Sequence, residues 1–549
     1  MDRHRPALTT AGDPPGDVVA NRLPWPLVAG LCAVPGVFLV VFYAWPFARL
    51  LARGVSASAI GDTLGREVTW DITWFTLWQA VVSTVLTIVV GLAPAYVLAR
   101  YHFAGRRALA AMLTAVFVLP TVVMGAAVLA LLPGGWERGV PAILTAHVLF
   151  NLAVVVRTVG AVLDHLPPDL EAAAATLGAP PWRTFVEITA PLLRPAILAA
   201  GSIVFVFTFT SFGVIRVLGR AGTSTIEVEV WRQATQLGDV GAAATLAVLQ
   251  LVLVAVAVIW SARQQRRHGR ALRLRAGATR RRPRPGTERR FVGLVAVLTG
   301  AVVAAPLVAL VARSLRGRDG WSTEAWRGLG RSEVRPGIDL GIDPLGAIAT
   351  SLRTTAAATL IALGIGVTAA LGIAAARRAG RLLDTGLMLP IATSAVTIGF
   401  GILITFDRAP VDWRGTWWIV PVGQALVAVP FVVRAILPVL RSIDPHLQEA
   451  AATLGASPSR AWRTITWPFL RRPVVAAAGL AAAISLGEFG ATSFLTRTGS
   501  ATMPIAVERL LGRTGAVLQA QGYALATILA AVTIVIVLVI DATGGDRRT

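Results

Sequence analysis

The chain contains one segment twice, and this duplication restricts the folds that it can adopt. The stretch LEAAAATLGAPPWR, which ends at Arg183, returns as QEAAATLGASPSR, which ends at Arg460. Gly455 follows Gly178 by 277 positions (455 − 178), and Pro468 follows Pro191 by the same number. The same spacing relates Arg157 to Arg434, Phe212-Gly213 to Phe489-Gly490, and Thr225 to Thr502. The sequence therefore predicts two copies of one module, related by internal pseudosymmetry.

The chain is too apolar for a soluble protein of its length. Of its 549 residues, 55% are apolar and 15% are charged, and the mean hydropathy is +0.68. Most apolar runs contain about 20 residues, which is enough for a helix to cross a hydrocarbon core. We therefore predict an all-α membrane protein with twelve transmembrane helices, arranged as two parallel pseudosymmetric six-helix bundles. The predicted spans lie near residues 27–48, 74–99, 108–132, 140–163, 196–215 and 242–262 in the first half and near 291–312, 354–376, 387–406, 416–440, 473–495 and 519–540 in the second.

These spans divide the chain into four parts. We predict a cytoplasmic tail at 1–26, a first module at 27–262, an arginine-rich linker at 263–290 and a second module at 291–549. The two copies of the repeated segment fall between the fourth and fifth spans of the modules. They lie in loops at 164–195 and 441–472, which are called the duplicated loops below.

The positive charge of the chain indicates its orientation in the membrane. The formal net charge is +22, all 51 basic residues are arginine, and twelve of them lie in 263–290. A cytoplasmic linker explains this cluster through the positive-inside rule, with binding of lipid headgroups or nucleic acid as the alternatives. We expect no nucleic-acid partner. An even number of spans then places both termini and both duplicated loops in the cytoplasm, for a multi-pass protein of the plasma membrane.

Neither nucleotide hydrolysis nor other enzyme chemistry is predicted for this chain. A phosphate-binding P-loop requires a lysine, and the sequence contains none. The six histidines are scattered, and neither HExxH nor GxSxG occurs. The single cysteine, Cys32, lies in the first predicted span, so there is no disulfide framework and no CxxC metal site. We predict no catalytic residue and no metal site.

Each duplicated loop has the composition of two short helices joined by a glycine. Residues 169–177 and 447–454 are rich in alanine, which favours helix. Gly178 and Gly455 are placed to end that helix, because glycine accepts the left-handed backbone conformation. Pro181 and Pro458 suit the first turn of a second helix, which Ser457 could cap in the second copy. We predict a helix, a sharp turn and another helix.

This pattern resembles the coupling loop of the type I class of binding-protein-dependent ABC importer permeases. In that family the loop binds in a groove of a cytoplasmic ATPase. The second copy matches the family pattern fully, at Glu449, Ala450, Ala451, Gly455, Ile465 and Pro468. The first matches at Gly178 and Pro191, but Glu171 stands one place early and Ala172 occupies the aligned position. One position turns a helix by about 100°, so we expect the first acidic contact to be redirected or weakened.

The resemblance also implies partners, a cofactor and a substrate class. Two copies of an ABC ATPase would bind the duplicated loops and hold Mg-ATP, so this chain itself would hold no cofactor, and a solute-binding protein would deliver the substrate outside. The fused pair of modules resembles the permeases for thiamine and for ferric iron. The segments TFTSFGV at 208–214, TIEVE at 225–229 and SLGEFG at 485–490 resemble the thiamine type more closely. We therefore expect a small, cationic solute.

Glu488 is the main candidate for a residue of the translocation pathway. It is an ionisable group in the eleventh predicted span, where a charge is costly unless it faces a cavity or a partner. A carboxylate there would suit a cation, and its counterpart in the first module is Ser211. The alternative is that Glu488 lies near the outer interface or pairs with an arginine.

Four other charged residues have a simpler interpretation. Arg157 and Arg434 occupy the same place near the cytoplasmic end of a span, which is typical of helix-end packing. Glu227 and Glu229 fall in a predicted external loop, where they would be solvated or would contact the delivering protein.

An ion-gradient-driven secondary transporter is the alternative function, because such carriers are also built from repeats. Those repeats are often inverted, whereas six spans per module make the present repeats parallel. A secondary carrier also has no need for two cytoplasmic loops of one design.

Overall fold

A computed structural model describes most of the chain, and it is helical almost throughout. The described residues are 25–54, 56–166, 169–268, 280–317, 320–330, 333–335, 338–339, 343–407, 411–413, 415–497 and 499–544. Most of the predicted tail at 1–26 and residues 269–279 of the predicted linker lie outside them.

The first module contains thirteen α-helices in its described part. They are α1 Trp25–Leu39, α2 Trp45–Gly54, α3 Ala57–Leu64, α4 Glu67–Arg100, α5 Arg106–Val118, α6 Thr121–Leu131, α7 Val140–His165, α8 Asp169–Thr176, α9 Pro181–Thr184, α10 Ala190–Phe209, α11 Gly213–Leu218, α12 Ile226–Arg232 and α13 Val240–His268. Single π-helical turns lie at Val40–Ala44, Phe185–Thr189 and Gln233–Leu237.

The described part of the second module repeats this order. Its helices are α14 Thr287–Ser314, α15 Glu324–Arg327, α16 Pro344–Ala375, α17 Arg377–Ala392, α18 Ala395–Thr405, α19 Ile419–Ser442, α20 Pro445–Thr453, α21 Pro458–Ala461, α22 Trp467–Gly487, α23 Thr492–Leu495, α24 Met503–Leu511 and α25 Ala516–Gly544. A 3-10 turn lies at Gly328–Gly330 and a π-helical turn at Trp462–Thr466. Two short antiparallel pairs, β1 Arg316–Gly317 with β2 Gly320–Trp321 and β3 Glu333–Arg335 with β4 Ile338–Asp339, lie between α14 and α16.

Within the described residues, ten helices are long and apolar enough to cross a membrane, and two bent helix pairs raise the number to twelve if each pair is one span. The bent pairs are the third span of each module. The bend between α5 and α6 is 109°, and the bend between α17 and α18 is 102°. Pro120 lies in the first bend, between α5 and α6, and a proline disfavours helix in the residue before it. At the second bend the Ser394 hydroxyl caps α18 by accepting from the backbone N–H of Val396 at 3.1 Å. The all-α membrane fold is therefore confirmed, with the third spans bent rather than straight.

The first span of each module packs against the other module. Helix α1 lies along α16 and α17, and α2 contacts α18 as well as α13. Conversely, α14 packs against α5 and α6 of the first module and against α25 of its own. The hydrophobic core around α16 and α19 accordingly includes Phe38 and Tyr43 of the first module. The two modules are thus repeats in sequence that interlock in space.

Helical structure extends into the predicted linker from both modules. Helix α13 continues to His268 and α14 already begins at Thr287, so helical structure enters the range 263–290 from both sides. Arginine and glutamine favour helix nearly as well as leucine, so a helix does not end where its apolar residues end.

Candidate functional site

Both duplicated loops adopt the predicted helix, glycine turn and helix. Gly178 has a φ of +78° and Gly455 a φ of +76°, in the left-handed region. In the first copy the N–H of Gly178 donates to Ala175 and that of Ala179 to Ala174, both at 3.0 Å. The second copy forms the same two bonds, from Gly455 and from Ala456. This pair of bonds is the Schellman motif, which makes the turn compact and requires glycine at its centre.

The second helix of each loop is not a separate element, contrary to the prediction. Helix α9 passes through the π-helical turn Phe185–Thr189 directly into α10, and α21 passes through Trp462–Thr466 into α22. The resulting continuous helices are Trp182–Phe209, with 28 residues, and Pro458–Gly487, with 30 residues. Ser457 caps the second of them as predicted, its hydroxyl accepting from the N–H of Arg460 at 3.4 Å. Each duplicated loop is therefore rigidly joined to the fifth span of its module.

The acidic residues of the two loops point in different directions. The Glu171 carboxylate accepts from Arg100 at 3.3 Å and from the Thr189 hydroxyl at 3.2 Å, and its side chain is 27% exposed. Its repeat counterpart Gln448 likewise contacts Thr466, the counterpart of Thr189, at 3.3 Å. Glu449 instead lies on the outer side of α20, 3.1 Å from His446. Glu171 thus anchors its loop to the end of α4 rather than presenting an acid outward.

Both loops also expose one leucine in the same place. Leu177 and Leu454, which directly precede the two turn glycines, are each 87% exposed. In the first loop Trp182 adds a second apolar side chain, 69% exposed. Both loops thus present the same apolar side chain on their surface at one repeat position. Among the predicted loop residues, Ala172 and Ala450 lie on the first helix of each loop and are exposed as well.

The opposite ends of the two fifth spans meet between the modules. Helix α10 ends at Phe209 and α22 at Gly487, and a short break follows in each chain segment. The next aromatic residues, Phe212 and Phe489, stack across the module interface with ring centroids 5.1 Å apart. They occupy the same position in the repeat, so the pseudosymmetry axis passes between their rings. In the structure this aromatic pair fills the space between the two modules at the axis.

Glycines allow the two breaks to pack closely against the bent third spans. A Cβ atom on Gly213 would collide with the Thr121 side chain at the start of α6. A Cβ on Gly487 would lie 3.0 Å from Pro120 of the other module, tighter than ordinary van der Waals contact. The breaks of the fifth spans and the bends of the third spans therefore form one compact layer around the axis.

The two predicted pathway residues lie at these breaks, but their polar groups already have partners. The Ser211 hydroxyl contacts Nε2 of His147 at 2.9 Å, and Nδ1 of His147 contacts Ser83 at 3.0 Å. The Glu488 carboxylate accepts from the backbone N–H groups of Ala491 at 2.7 Å and Thr492 at 2.8 Å, and from the Thr492 hydroxyl.

Glu488 therefore serves as a cap for helix α23 and is 6% exposed. Its hydrogen-bond partners are backbone and hydroxyl groups of its own module rather than an arginine. A short helix begins there with free N–H groups, and a carboxylate is a suitable acceptor for them.

The structure contradicts the prediction for two charged residues. Glu227 and Glu229 are not solvated: they are 2% and 4% exposed, on α12. Gln250 donates to Glu227 at 2.7 Å, and Arg232 and Gln233 donate to Glu229. Arg434 is exposed on α19, about two turns before the end of that helix at Ser442, and lies 3.4 Å from Asp384 of α17. A hydropathy pattern cannot distinguish a buried, hydrogen-bonded loop helix from a solvated loop.

The end of the arginine-rich linker packs against the first module next to its duplicated loop. Arg281 forms a backbone bridge with Tyr101, and its guanidinium binds Glu288. The Tyr101 hydroxyl donates to Glu288 at 2.8 Å, and burial raises the pKa of this tyrosine, so it stays protonated. Arg280 pairs with Asp164 near the end of α7. The linker thus connects α4 and α7 of the first module to the first span of the second.

Sequence reasoning missed the residues that close the axis. Phe212 and Phe489 belong to a Phe-Gly pair that the repeat contains twice. Their spacing indicates the repeat, but it does not by itself indicate that paired positions of a pseudosymmetric fold can meet on the axis. Arg216, Trp231 and Glu508, which lie beside them, differ between the modules and therefore left no repeat signal.

Comparison with known proteins agrees with this architecture. A family model described as the binding-protein-dependent transport system inner membrane component matches the chain twice, over residues 83–270 and 361–545. The thiamine transport system permease protein of Brucella suis biovar 1 is 27% identical over 418 residues, covering 75% of this chain and 73% of that protein. A putative 2-aminoethylphosphonate transport system permease protein of Salmonella paratyphi A is 33% identical over 199 residues, covering 36% of this chain and 73% of that protein.

A crystal structure of a bacterial ABC transporter involved in the import of the acidic polysaccharide alginate is also similar, with a TM-score of 0.39 and 18% identity over 44% of this chain and 96% of that chain. The family assignment rests on the two matches of the family model, one in each module, which together cover more than half of the sequence. The chain therefore belongs to the family of binding-protein-dependent transport system inner membrane components, and it is a multi-pass permease subunit rather than an enzyme.

Proposed function

We propose that this permease couples ATP hydrolysis on a cytoplasmic partner to separation of the two modules at the axis, between Phe212 and Phe489. The supporting observation is the continuous helix that joins each duplicated loop to the axis, Trp182–Phe209 in one module and Pro458–Gly487 in the other. At 1.5 Å per residue these helices are about 42 and 45 Å long, enough to cross the membrane. A displacement of either loop is therefore carried to the residues beside the aromatic pair.

The partner that displaces the loops is an ABC ATPase, present in two copies. Each loop offers it a rigid Schellman turn with an exposed leucine, Leu177 or Leu454, and the second loop adds Glu449. Mg-ATP is held by the ATPase, because a P-loop needs a lysine that this sequence lacks. The duplicated loops and both termini face the cytoplasm, where the arginine-rich linker also lies.

Substrate reaches the opposite face on a solute-binding protein and passes between the modules by alternating access. Binding of the partners alternately stabilises a state in which the space between the modules is open to one face and a state in which it is open to the other. The interlocked first spans, α1 on α16 and α14 on α6, keep the modules associated while their central helices move.

Thiamine or a related organic cation is the solute that we propose. The support is the thiamine permease alignment, which extends over 418 residues and so includes both modules. The 2-aminoethylphosphonate relative aligns over 199 residues and gives that solute as a second candidate. Ferric iron remains the other cation suggested by the sequence. Glu488 adds nothing to the choice, since its carboxylate caps α23.

Uptake by cells tests this proposal directly. Cells that lack their own carriers would express the chain with its ATPase and binding protein and receive labelled thiamine, 2-aminoethylphosphonate or ferric iron. We expect ATP-dependent accumulation of thiamine, abolished by an ATPase variant that binds but does not hydrolyse ATP. Accumulation of another solute would change the substrate. Uptake that continues without ATP while an ion gradient is maintained would identify a secondary transporter instead.

A further inference from the structure

One ion pair crosses the module interface beside the axial aromatic pair. Arg216 lies on α11 of the first module, and its guanidinium binds the carboxylate of Glu508 on α24 of the second. The two side chains are only 20% and 15% exposed. The guanidinium also lies 3.8 Å from the ring centre of Trp231, close enough for a cation–π interaction.

The position of this pair in the repeat is unusual. Glu508 is the repeat counterpart of Trp231, so Arg216 contacts a residue of one module and the equivalent residue of the other. The counterpart of Arg216 itself is Ser493, which carries no charge. The repeat therefore provides this ion pair on one side of the axis only.

The ion pair is connected to the aromatic pair by direct contact. The ring centre of Trp231 lies 6.4 Å from that of Phe212, which stacks on Phe489. Arg138 strengthens the same contact, because its guanidinium donates to the carbonyl of Val217 on α11 at 2.8 Å and to that of Leu511 on α24 at 3.0 Å. Helices α11 and α24 are thus joined by two arginines on the face opposite the duplicated loops.

We propose that Arg216 and Glu508 are positioning residues that hold the axis closed on this face and separate once in each transport cycle. This inference rests on the proposed function above. Separating the two charges while they remain between packed helices would leave each of them poorly solvated, which is strongly unfavourable. Separation becomes possible when the modules move apart enough for water to reach both groups. The pair therefore favours two discrete states, closed and open, over intermediate ones.

A distance measurement tests this inference without the ATPase. Leu237 and Thr514 are exposed, occupy the same repeat position in the two modules and lie on the face opposite the duplicated loops. Replacing Cys32, the single cysteine, by serine and introducing Leu237→Cys and Thr514→Cys allows two spin labels to be attached. In lipid vesicles we expect one short distance for the otherwise unsubstituted chain. Arg216→Met should add a longer distance, with the population of open molecules raised on the order of tenfold.

The double variant Arg216→Met/Glu508→Gln separates this role from simple stabilisation. If Arg216 only neutralises a buried carboxylate, removing both charges should restore the single short distance. If the pair holds the face closed, the double variant should remain partly open. Arg232→Met is the matched control, since it removes an ion pair with Glu229 on the same face but within one module. It should leave the distance unchanged.

A complex with the ATPase provides the second readout. Both Arg216 variants should hydrolyse ATP without the binding protein on the order of tenfold faster than the unsubstituted complex. An unchanged distance and an unchanged basal hydrolysis in the double variant would overturn the inference. If the unsubstituted complex shows no hydrolysis that responds to the binding protein, the proposed function fails instead, whatever the distances show.

Discussion

The rings of Phe212 and Phe489 stack at 5.1 Å with an interplanar angle of 30°, although the residues belong to different modules. Because they are repeat counterparts, the pseudosymmetry axis runs between them. Each lies in the break that follows a fifth span, and each fifth span begins in a duplicated loop. The molecule therefore places its two repeated loops and its axial closure at opposite ends of the same two helices.

Removing an aromatic ring from the axis should make the protein leaky. Phe489→Ala deletes one half of the stacked pair and leaves a gap between the modules. We expect solute trapped in vesicles to escape faster than from vesicles with the unsubstituted chain, in the absence of ATP. Phe209→Ala is the control, because Phe209 is fully buried inside the first module and packs on Phe205. Both variants should lose roughly 3–5 kcal/mol of stability, but only the axial one should leak.

The turn glycines should tolerate no other residue. Gly455→Ala places a side chain at a φ of +76°, which costs roughly 1–2 kcal/mol for an L-residue. We expect weaker ATPase binding and slower uptake, with normal insertion of the chain in the membrane. Gly364→Ala, inside helix α16 with open space around it, should bind ATPase normally. Co-purification of the ATPase with each variant gives the answer, and equal recovery would show that the turn is dispensable.

Glu171 and Glu449 should have different roles. In Glu171→Gln, the guanidinium of Arg100, whose side chain is 6% exposed, loses the carboxylate that it binds. The free energy of unfolding should therefore fall by about 1–3 kcal/mol. Glu449→Gln changes an exposed group and should leave stability within about 0.5 kcal/mol, while weakening ATPase binding. Thermal unfolding in detergent and ATPase co-purification separate the two effects. Identical behaviour of the two variants would contradict the different orientations of these side chains.

Glu488 should act on stability and not on substrate affinity. Glu488→Gln keeps one acceptor for the start of α23 but loses the second, so we expect a loss of about 1 kcal/mol in the free energy of unfolding. The solute concentration that gives half-maximal uptake should not change. An increase in that concentration with no loss of stability would instead place the carboxylate on the pathway.

The sequence predicts the repeated parts of this fold well. Constant spacing, apolar periodicity and the glycines at 178 and 455 are enough to give two modules, twelve possible spans and the helix–turn–helix shape of both loops. These features depend on local backbone preferences and on burial in lipid, which a single sequence records.

Features that depend on contacts between distant segments could not be predicted. The exchange of α1 and α14 between modules leaves no local pattern, and neither does the backbone bridge between Arg281 and Tyr101. The hydrogen-bond donors of Glu488, the N–H groups at the start of α23, exist only after the fifth span breaks, so the sequence does not indicate them. An ionisable residue in an apolar stretch indicates an unusual site but not which partner satisfies it.

The most direct test of coupling through the duplicated loops is the effect of ATP on the distance between spin labels at Leu237→Cys and Thr514→Cys. The measurement uses the complete complex with ATPase and binding protein. We expect ATP to lengthen this distance when the duplicated loops are intact, and Gly178→Ala/Gly455→Ala to abolish the change. A distance that ATP does not alter, or one that still lengthens with both turn glycines replaced, would contradict coupling through the duplicated loops.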